Sequence, residues 1–172
     1  DNGSTDRTES ICRSAARSDA RVRYFRSAEN RGLAWNFNNA FALARGRFLL
    51  WQGSDDRMEP GYLAACVEAL ERDSKLALCF SSVRMIDETG AQVRECEPEN
   101  SGASASPAER LHRILFDELC HPIMGVMRME TLRQTRRHLP YADSDRVLLA
   151  EMGLRGRFEL LPEALFGRRM HS

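Results

Sequence analysis

Asp55 and Asp56 stand side by side just after the apolar run Phe48-Leu49-Leu50-Trp51. Adjacent carboxylates at the end of a strand repel each other and resist burial. A divalent cation resolves both costs, since Mg²⁺ or Mn²⁺ takes one or two carboxylates and completes its shell with phosphate oxygens and water. The competing reading is a solvated turn ahead of Pro60. A second acidic cluster opens the chain, Asp1-Asn2-Gly3-Ser4-Thr5-Asp6. Helix capping accounts for Ser4, Thr5 and Asp6 there, and leaves Asp1 free to accept hydrogen bonds from a base or a sugar. A third, Asp143-Ser144-Asp145, precedes the apolar stretch Val147-Leu148-Leu149. Its bland reading is negative charge offsetting a helix dipole.

The elements that must hold these groups follow from periodicity. Asn2-Gly3 marks a tight turn, and Ser4 or Thr5 caps a helix carrying Ile11, Ala15 and Ala16. Arg21 to Phe25 alternates as a short strand. Leu33, Ala34, Phe37, Phe41 and Ala42 recur at helical spacing between Arg31 and Ala44, and Gly46 closes that segment. Phe48 to Trp51 reads as a buried strand, which puts Asp55 and Asp56 at its carboxyl end, where open α/β sheets gather ligands. Pro60 starts a helix continuing over Tyr62 to Leu70, and Leu76 to Ile86 is a long strand turning at Asp87-Glu88-Thr89-Gly90 into a short partner at Gln92-Val93. Glu95 to Pro107 is a polar surface loop. Helices are expected over Ala108–Leu119, Glu130–Thr135 and Asp145–Met152, an extended segment over Pro122–Met127, and two short strands over Phe158–Leu161 and Leu165–Arg168. Strand and helix alternate in the first half, which favours a mostly parallel α/β sheet.

Composition narrows the class. The 172 residues are 42% hydrophobic, with 25 basic against 25 acidic side chains, which suits one globular domain and excludes disorder. The zero charge balance argues against a nucleic-acid binder, although Lys75 is the only lysine among the basic residues. No apolar run reaches the roughly 18–20 residues of a membrane span. Five scattered cysteines without a CxxC pair indicate a reducing compartment rather than a disulfide framework or a zinc site. The four histidines lack ligand spacing, Trp35 and Trp51 fall on apolar patterns, and Arg136-Arg137 reads as a solvated basic pair. GxSxG, P-loop and GxGxxG motifs are all missing from the sequence.

The ordered blocks Asp1-Asn2-Gly3-Ser4-Thr5-Asp6-Arg7-Thr8, Asn30-Arg31-Gly32-Leu33-Ala34 with Asn38, and Gly46-Arg47-Phe48 leading to Ser54-Asp55-Asp56 resemble a family 2 glycosyltransferase. The resemblance continues through Gly125-Val126-Met127-Arg128, Asp143 to Leu149, Gly156-Arg157-Phe158, Leu161-Pro162-Glu163 and Arg168-Arg169-Met170-His171. It implies a GT-A fold, that is, a nucleotide-diphospho-sugar transferase fold whose mixed, mostly parallel sheet is flanked by helices. It also implies one domain over residues 1–172, with residues 1–90 as the nucleotide-sugar half and 91–172 as the acceptor half. The family's first strand, helix and second strand would precede Asp1, so the sequence reads as an N-terminally truncated piece.

The implied activity is metal-dependent, inverting transfer of a sugar from a UDP- or GDP-sugar to the hydroxyl of a glycan or lipid-linked acceptor. Its context would be bacterial surface or cell-wall polysaccharide synthesis, in the cytoplasm or at the inner membrane surface. By position, Asp1, Asn2, Asn30, Gly32, Asn38 and Asp55 resemble donor contacts. Asp56 with Asp55 resembles the pair that holds Mg²⁺ or Mn²⁺, and Asp145, with Asp143 as the alternate, resembles the catalytic base. His171 sits where relatives approach the diphosphate. Phe37 and Gly53 depart from the family pattern, standing where many relatives carry an arginine and an aspartate. Two rival readings remain: a nucleotidyltransferase of similar fold, and a degenerate module that binds nucleotide without turnover.

Overall fold

The computed structural model describes residues 1–96, 102–116 and 120–170. The chain forms two compact units: residues 1–44 with 138–141, and residues 45–137 with 142–172.

The smaller unit holds two helices, α1 (Thr8–Ser18) and α2 (Leu33–Leu43). Neither buries a single residue. Hydrogen bonds rather than apolar packing organise this region. The Asp1 nitrogen donates to the Phe25 carbonyl at 2.9 Å, and the Ser27 N–H donates to the Asp1 carbonyl at 2.9 Å. These two bonds flank Arg26 in the pattern of a parallel ladder, but the expected strand over Arg21–Phe25 does not form. Its alternating side chains find no buried face to pack against. Helix α1 also starts later than the capping residues suggested: Asp6, not Ser4 or Thr5, accepts the Thr8 N–H at 2.9 Å. Gly3 is required by a close approach. It has φ +80°, and a Cβ there would lie 2.7 Å from the Glu29 carbonyl carbon.

The larger unit is a mixed sheet with helices against it. In chain order it contains β1 (Phe48–Leu49), β2 (Arg57–Met58), α3 (Tyr62–Arg72), β3 (Leu76–Ile86) and β4 (Gln92–Cys96). There follow α4 (Pro107–Phe116), a 3₁₀ turn (His121–Met124), β5 (Val126–Arg128), α5 (Met129–Leu132), α6 (Ser144–Arg155) and β6 (Arg157–Arg169). The sheet order is β1-β5-β3-β6-β2, with β4 also paired to β3. Strand β3 is apolar on both faces, and every residue but Arg84 is buried, as a central strand requires.

The expectation of a mostly parallel sheet is corrected. Among the described residues β3 and β6 are parallel, whereas β1·β5, β5·β3, β3·β4 and β2·β6 are antiparallel. The reason lies in the connections. The parallel neighbours β3 and β6 are joined by a long connection through β4, α4, β5, α5 and α6, while β4 returns on β3 through a tight turn. The two strands expected at Phe158–Leu161 and Leu165–Arg168 are one strand, β6. Pro162, which cannot donate to a ladder, is absorbed where the register jumps from Ser81↔Leu161 to Ser82↔Ala164.

Helix α3 lays Tyr62, Cys66 and Leu70 on Leu76, Cys79, Val126 and Phe166. Side chains of this size each contribute roughly 1.5–3 kcal/mol when fully buried. The Tyr62 hydroxyl, buried with its ring, donates to the Met124 carbonyl at 2.9 Å. Helices α4 and α6 pack closely enough that a Cβ on Gly153 would lie 2.4 Å from the Ile114 Cδ1. Arg110, 4% exposed, crosses this contact and donates to the carbonyls of Gly153, Ser104 and Ala105. All five cysteines are free thiols. Among the described residues no helix is long and apolar enough to cross a membrane.

Candidate functional site

The Asp55-Asp56 pair leaves β1 and enters β2, which lies along the last part of β6 through Arg57↔Gly167 and Met58↔Phe166. That register brings Arg169 onto the acidic loop. Its backbone N–H donates to Asp56 Oδ1 at 3.0 Å and its Nε–H to the Asp55 carbonyl at 2.8 Å. The same guanidinium donates to the Asp87 carbonyl, tying the turn after β3 to the loop. The Asp87 side chain closes its own turn on Thr89 and Ala91, and the Thr89 hydrogen bond holds its carboxyl below the usual range.

The two carboxylates converge. Asp56 Oδ2 and Asp55 Oδ1 lie 2.8 Å and 2.9 Å from the point a Cβ on Gly53 would occupy. Gly53 therefore leaves open a small volume facing two hard oxygen donors. Partial burial pushes the Asp56 carboxyl above its ordinary value, and the neighbouring Asp55 charge adds to the rise. The Arg169 N–H and the charges of Arg168 and Arg169 oppose it without cancelling it. A carboxylate short of partners beside a second one is a place where bound positive charge is stabilising.

The donor chemistry and the shared opening fit a divalent cation of the Mg²⁺ or Mn²⁺ kind, provided the ligand supplies the remaining oxygens. Among the described residues no group of three or more His, Cys, Asp or Glu side chains is gathered as a metal site.

The first acidic cluster is built differently. The Asp1 side chain is 1% exposed. Its Oδ1 accepts the Ser4 N–H at 2.9 Å, and its Oδ2 accepts the Tyr24 hydroxyl and faces the Arg26 Nε at 3.2 Å. Asn2 donates to Asn30 Oδ1 at 2.8 Å and to the Gly32 carbonyl at 3.2 Å, and accepts the Arg31 N–H at 3.0 Å. Asn30 also accepts the Gly32 N–H at 2.9 Å. Asp1, Asn2, Asn30 and Gly32 thus sit in one hydrogen-bonded loop cluster. Asn38 lies apart on α2, where its amide clasps the His138 backbone in both directions, at 2.7 Å and 3.2 Å. Phe37 stacks on the His138 ring at 4.6 Å between centroids.

Asp143 and Asp145 both fall at the start of α6. Asp143 is the residue before the first turn, with φ +59°, and its carbonyl accepts the Val147 N–H at 3.3 Å. Asp145 Oδ1 accepts the Arg146 N–H at 2.8 Å, and the Arg146 guanidinium donates to the Ile114 carbonyl of α4 at 3.2 Å. The start of the helix is thereby fixed to the α4·α6 pair. His171 lies outside the described residues. Arg136, half of the expected solvated pair, bonds to Glu151. Arg31 stacks over Trp35 at 4.4 Å, and Trp51 is buried.

Sequence reasoning missed Arg169 as the residue that fixes the acidic loop. Its only signal was membership of the Arg168-Arg169-Met170-His171 block.

Comparison with known proteins adds four findings. A sequence model described as Glycosyl transferase family 2 matches residues 1–130. An Escherichia coli chondroitin synthase is 34% identical over 90 residues, covering 52% of this chain and 13% of that protein. The crystal structure of Staphylococcus aureus TarS 1–349 superposes with a TM-score of 0.72 at 18% identity, over 98% of this chain and 49% of that one. A Pyrobaculum calidifontis mannosyltransferase in complex with GDP-Man and Mn²⁺ gives a TM-score of 0.65 at 17% identity, over 98% and 46%. The chain therefore spans about half of these solved chains and a smaller part of the synthase. At such identities the structural likeness speaks for the fold, which is GT-A.

Proposed function

The chain belongs to glycosyl transferase family 2, and from that premise we propose that it carries the donor-side chemistry of a metal-dependent, inverting sugar transfer from a nucleoside-diphosphate sugar to an acceptor hydroxyl. The observation that carries this reading is the convergence of the Asp55 and Asp56 carboxylates on the space left by Gly53. Asp56 and Asp55 hold Mg²⁺ or Mn²⁺, and Arg169 keeps the loop that presents them in place. When bound, the cation offsets charge on the departing diphosphate. Asp145, with Asp143 as the alternate, takes the proton of the attacking acceptor hydroxyl. A single carboxylate base suffices for inversion, because no covalent intermediate has to be formed.

The donor is a UDP- or GDP-sugar. TarS has been determined with UDP and with UDP-GlcNAc, and the mannosyltransferase with GDP-Man, which supports that donor class. The cluster of Asp1, Asn2, Asn30 and Gly32, together with Asn38, shapes the donor side mainly through its backbone, since most side-chain polar groups there are engaged internally. On this assignment residues 1–90 serve the donor and residues 91–172 the acceptor. The acceptor is a glycan or lipid-linked glycan of a bacterial surface or cell-wall polysaccharide, at or near the inner membrane surface. The engagement of Asp145 Oδ1 by the Arg146 N–H favours, as the second reading, a module that binds nucleotide without turnover.

Calorimetry with UDP and GDP, with and without Mn²⁺, tests the donor site. The expected result is Mn²⁺-dependent binding of one nucleotide that Asp56→Ala weakens by at least about tenfold, as loss of a charge-assisted ligand requires. Binding that ignores both Mn²⁺ and Asp56 would sink the metal assignment. Mn²⁺-dependent binding without release of nucleoside diphosphate in the presence of acceptor would favour the second reading.

A further inference from the structure

The Leu76 end of β3 carries a charged site that the chemistry above leaves unused. Arg45, Arg47, Arg128 and Arg133 line a cavity of about 310 Å³, with Phe48 as an apolar wall and Glu130 as the carboxylate among its lining residues. Register separates it from the Asp55-Asp56 pair. Arg128 is one residue beyond the Met127↔Leu78 pair, whereas Arg57 lies level with Gly167 and hence with Arg84. The two sites thus sit at opposite ends of one strand, roughly 25 Å apart at the usual rise per residue.

The cavity has a fixed part and a free part. Arg128 donates its Nε–H to the Leu76 carbonyl at 2.8 Å and its Nη2 group to the Leu70 and Asp73 carbonyls. These bonds orient the guanidinium and leave its Nη1 edge without a protein acceptor among the described residues. Arg47 is ion-paired with Glu71, and the guanidiniums of Arg47 and Arg128 lie 5.3 Å and 5.5 Å from the Phe48 ring centre. The Arg45 and Arg133 side chains are exposed and make no hydrogen bond or ion pair among the described residues. Counting Glu71 and Glu130 against the four arginines leaves two positive charges unneutralised.

We propose that this cavity binds a phosphoryl group. A phosphate monoester dianion matches the two surplus charges, and its oxygens suit the fork geometry of guanidinium donors, two of which are already oriented by the protein. A carboxylate would leave one charge uncompensated. The carbonyls that Arg128 bonds lie at the end of α3 and the start of β3, so its guanidinium is held in place at the cavity before any ligand arrives. The cavity opens to solvent through Arg45 and Arg133, so the phosphoryl group can belong to a soluble ester or to a lipid headgroup. The assignment is independent of the Asp55-Asp56 pair, and Asp56→Ala should leave it intact.

The test titrates the chain with inorganic phosphate by calorimetry, and in parallel measures its sedimentation with phosphatidylcholine vesicles with and without phosphatidic acid. The Arg45→Ala/Arg133→Ala double variant removes two exposed side chains without internal partners, so folding is retained. Arg7→Ala/Arg17→Ala removes the same charge elsewhere. Expected is binding in at least one arm that the cavity variant weakens by at least about tenfold and the control leaves unchanged. Phosphate binding alone identifies a soluble ester as the ligand, and capture by phosphatidic acid vesicles identifies the headgroup. No binding in either arm, or equal weakening by both double variants, or none by the cavity variant, overturns the proposal.

Discussion

Asp1 and Asp56 both lie on loops, and the two regions that hold them treat a carboxylate in opposite ways. In the smaller unit, where α1 and α2 bury nothing, polar groups hold the chain together, and Asp1 is closed in by Ser4, Tyr24 and Arg26. In the larger unit apolar packing around β3 holds the chain, and polar groups at the sheet's end are under no demand to satisfy one another. Asp56 keeps one N–H partner, half-buried beside a second carboxylate. A carboxylate used as mortar is spent. One carried on an independently stable sheet can be left short of partners, which is the condition for binding a cation.

The comparison breaks first at the core. Phe158→Ala should cost about 3–5 kcal/mol in urea unfolding, because the ring is 2% exposed and lies against Gly102 at the β3·β6 pairing. A cost below about 1 kcal/mol would show that the larger unit does not depend on this packing. Asp1→Ala comes next, at roughly 1–3 kcal/mol, because it strands the Tyr24 hydroxyl and the Ser4 N–H. Hydrogen exchange at Ser4 should accelerate in this variant while exchange along β3 stays unchanged.

Asp56→Asn should act in the opposite direction, raising the melting temperature slightly at pH 7 while removing Mn²⁺-dependent nucleotide binding. The sign follows from linkage: a folded-state pKa raised above the ordinary value of 3.8 means stability present at low pH is lost as pH rises through the folded value. The gain of the variant over the native chain should therefore vanish in melts carried below that ordinary value. A variant that is less stable at pH 7 would refute the idea that Asp56 is short of partners. Smallest of all, Leu33→Ala should change stability by no more than about 0.5 kcal/mol, since the side chain is 72% exposed on α2.

Local pattern made much of this legible in the sequence. The spacing of Leu33 to Ala42 located α2, the apolar positions of Tyr62 to Leu70 located α3, and the unbroken run from Leu76 located β3. The signals of α3 and β3 are strong because their apolar side chains are the ones the core buries, whereas α2 forms on its spacing without burying a residue. Arg57-Met58 carried no such signal, since a two-residue strand exists only by pairing with β6. The Arg21–Phe25 alternation misled, because a strand needs a partner and a buried face as well as a pattern.

What the sequence by itself determined is the family, through the order of its motif blocks, and the acidic residues able to meet a cation or a hydroxyl. Tertiary structure decided what those residues are free to do. Asn38 meets the His138 backbone 100 residues away, and Arg169 reaches back 113 residues to fix Asp56. A side chain's type fixes which bonds it can make, but whether those bonds are already taken depends on partners that only the fold brings within reach.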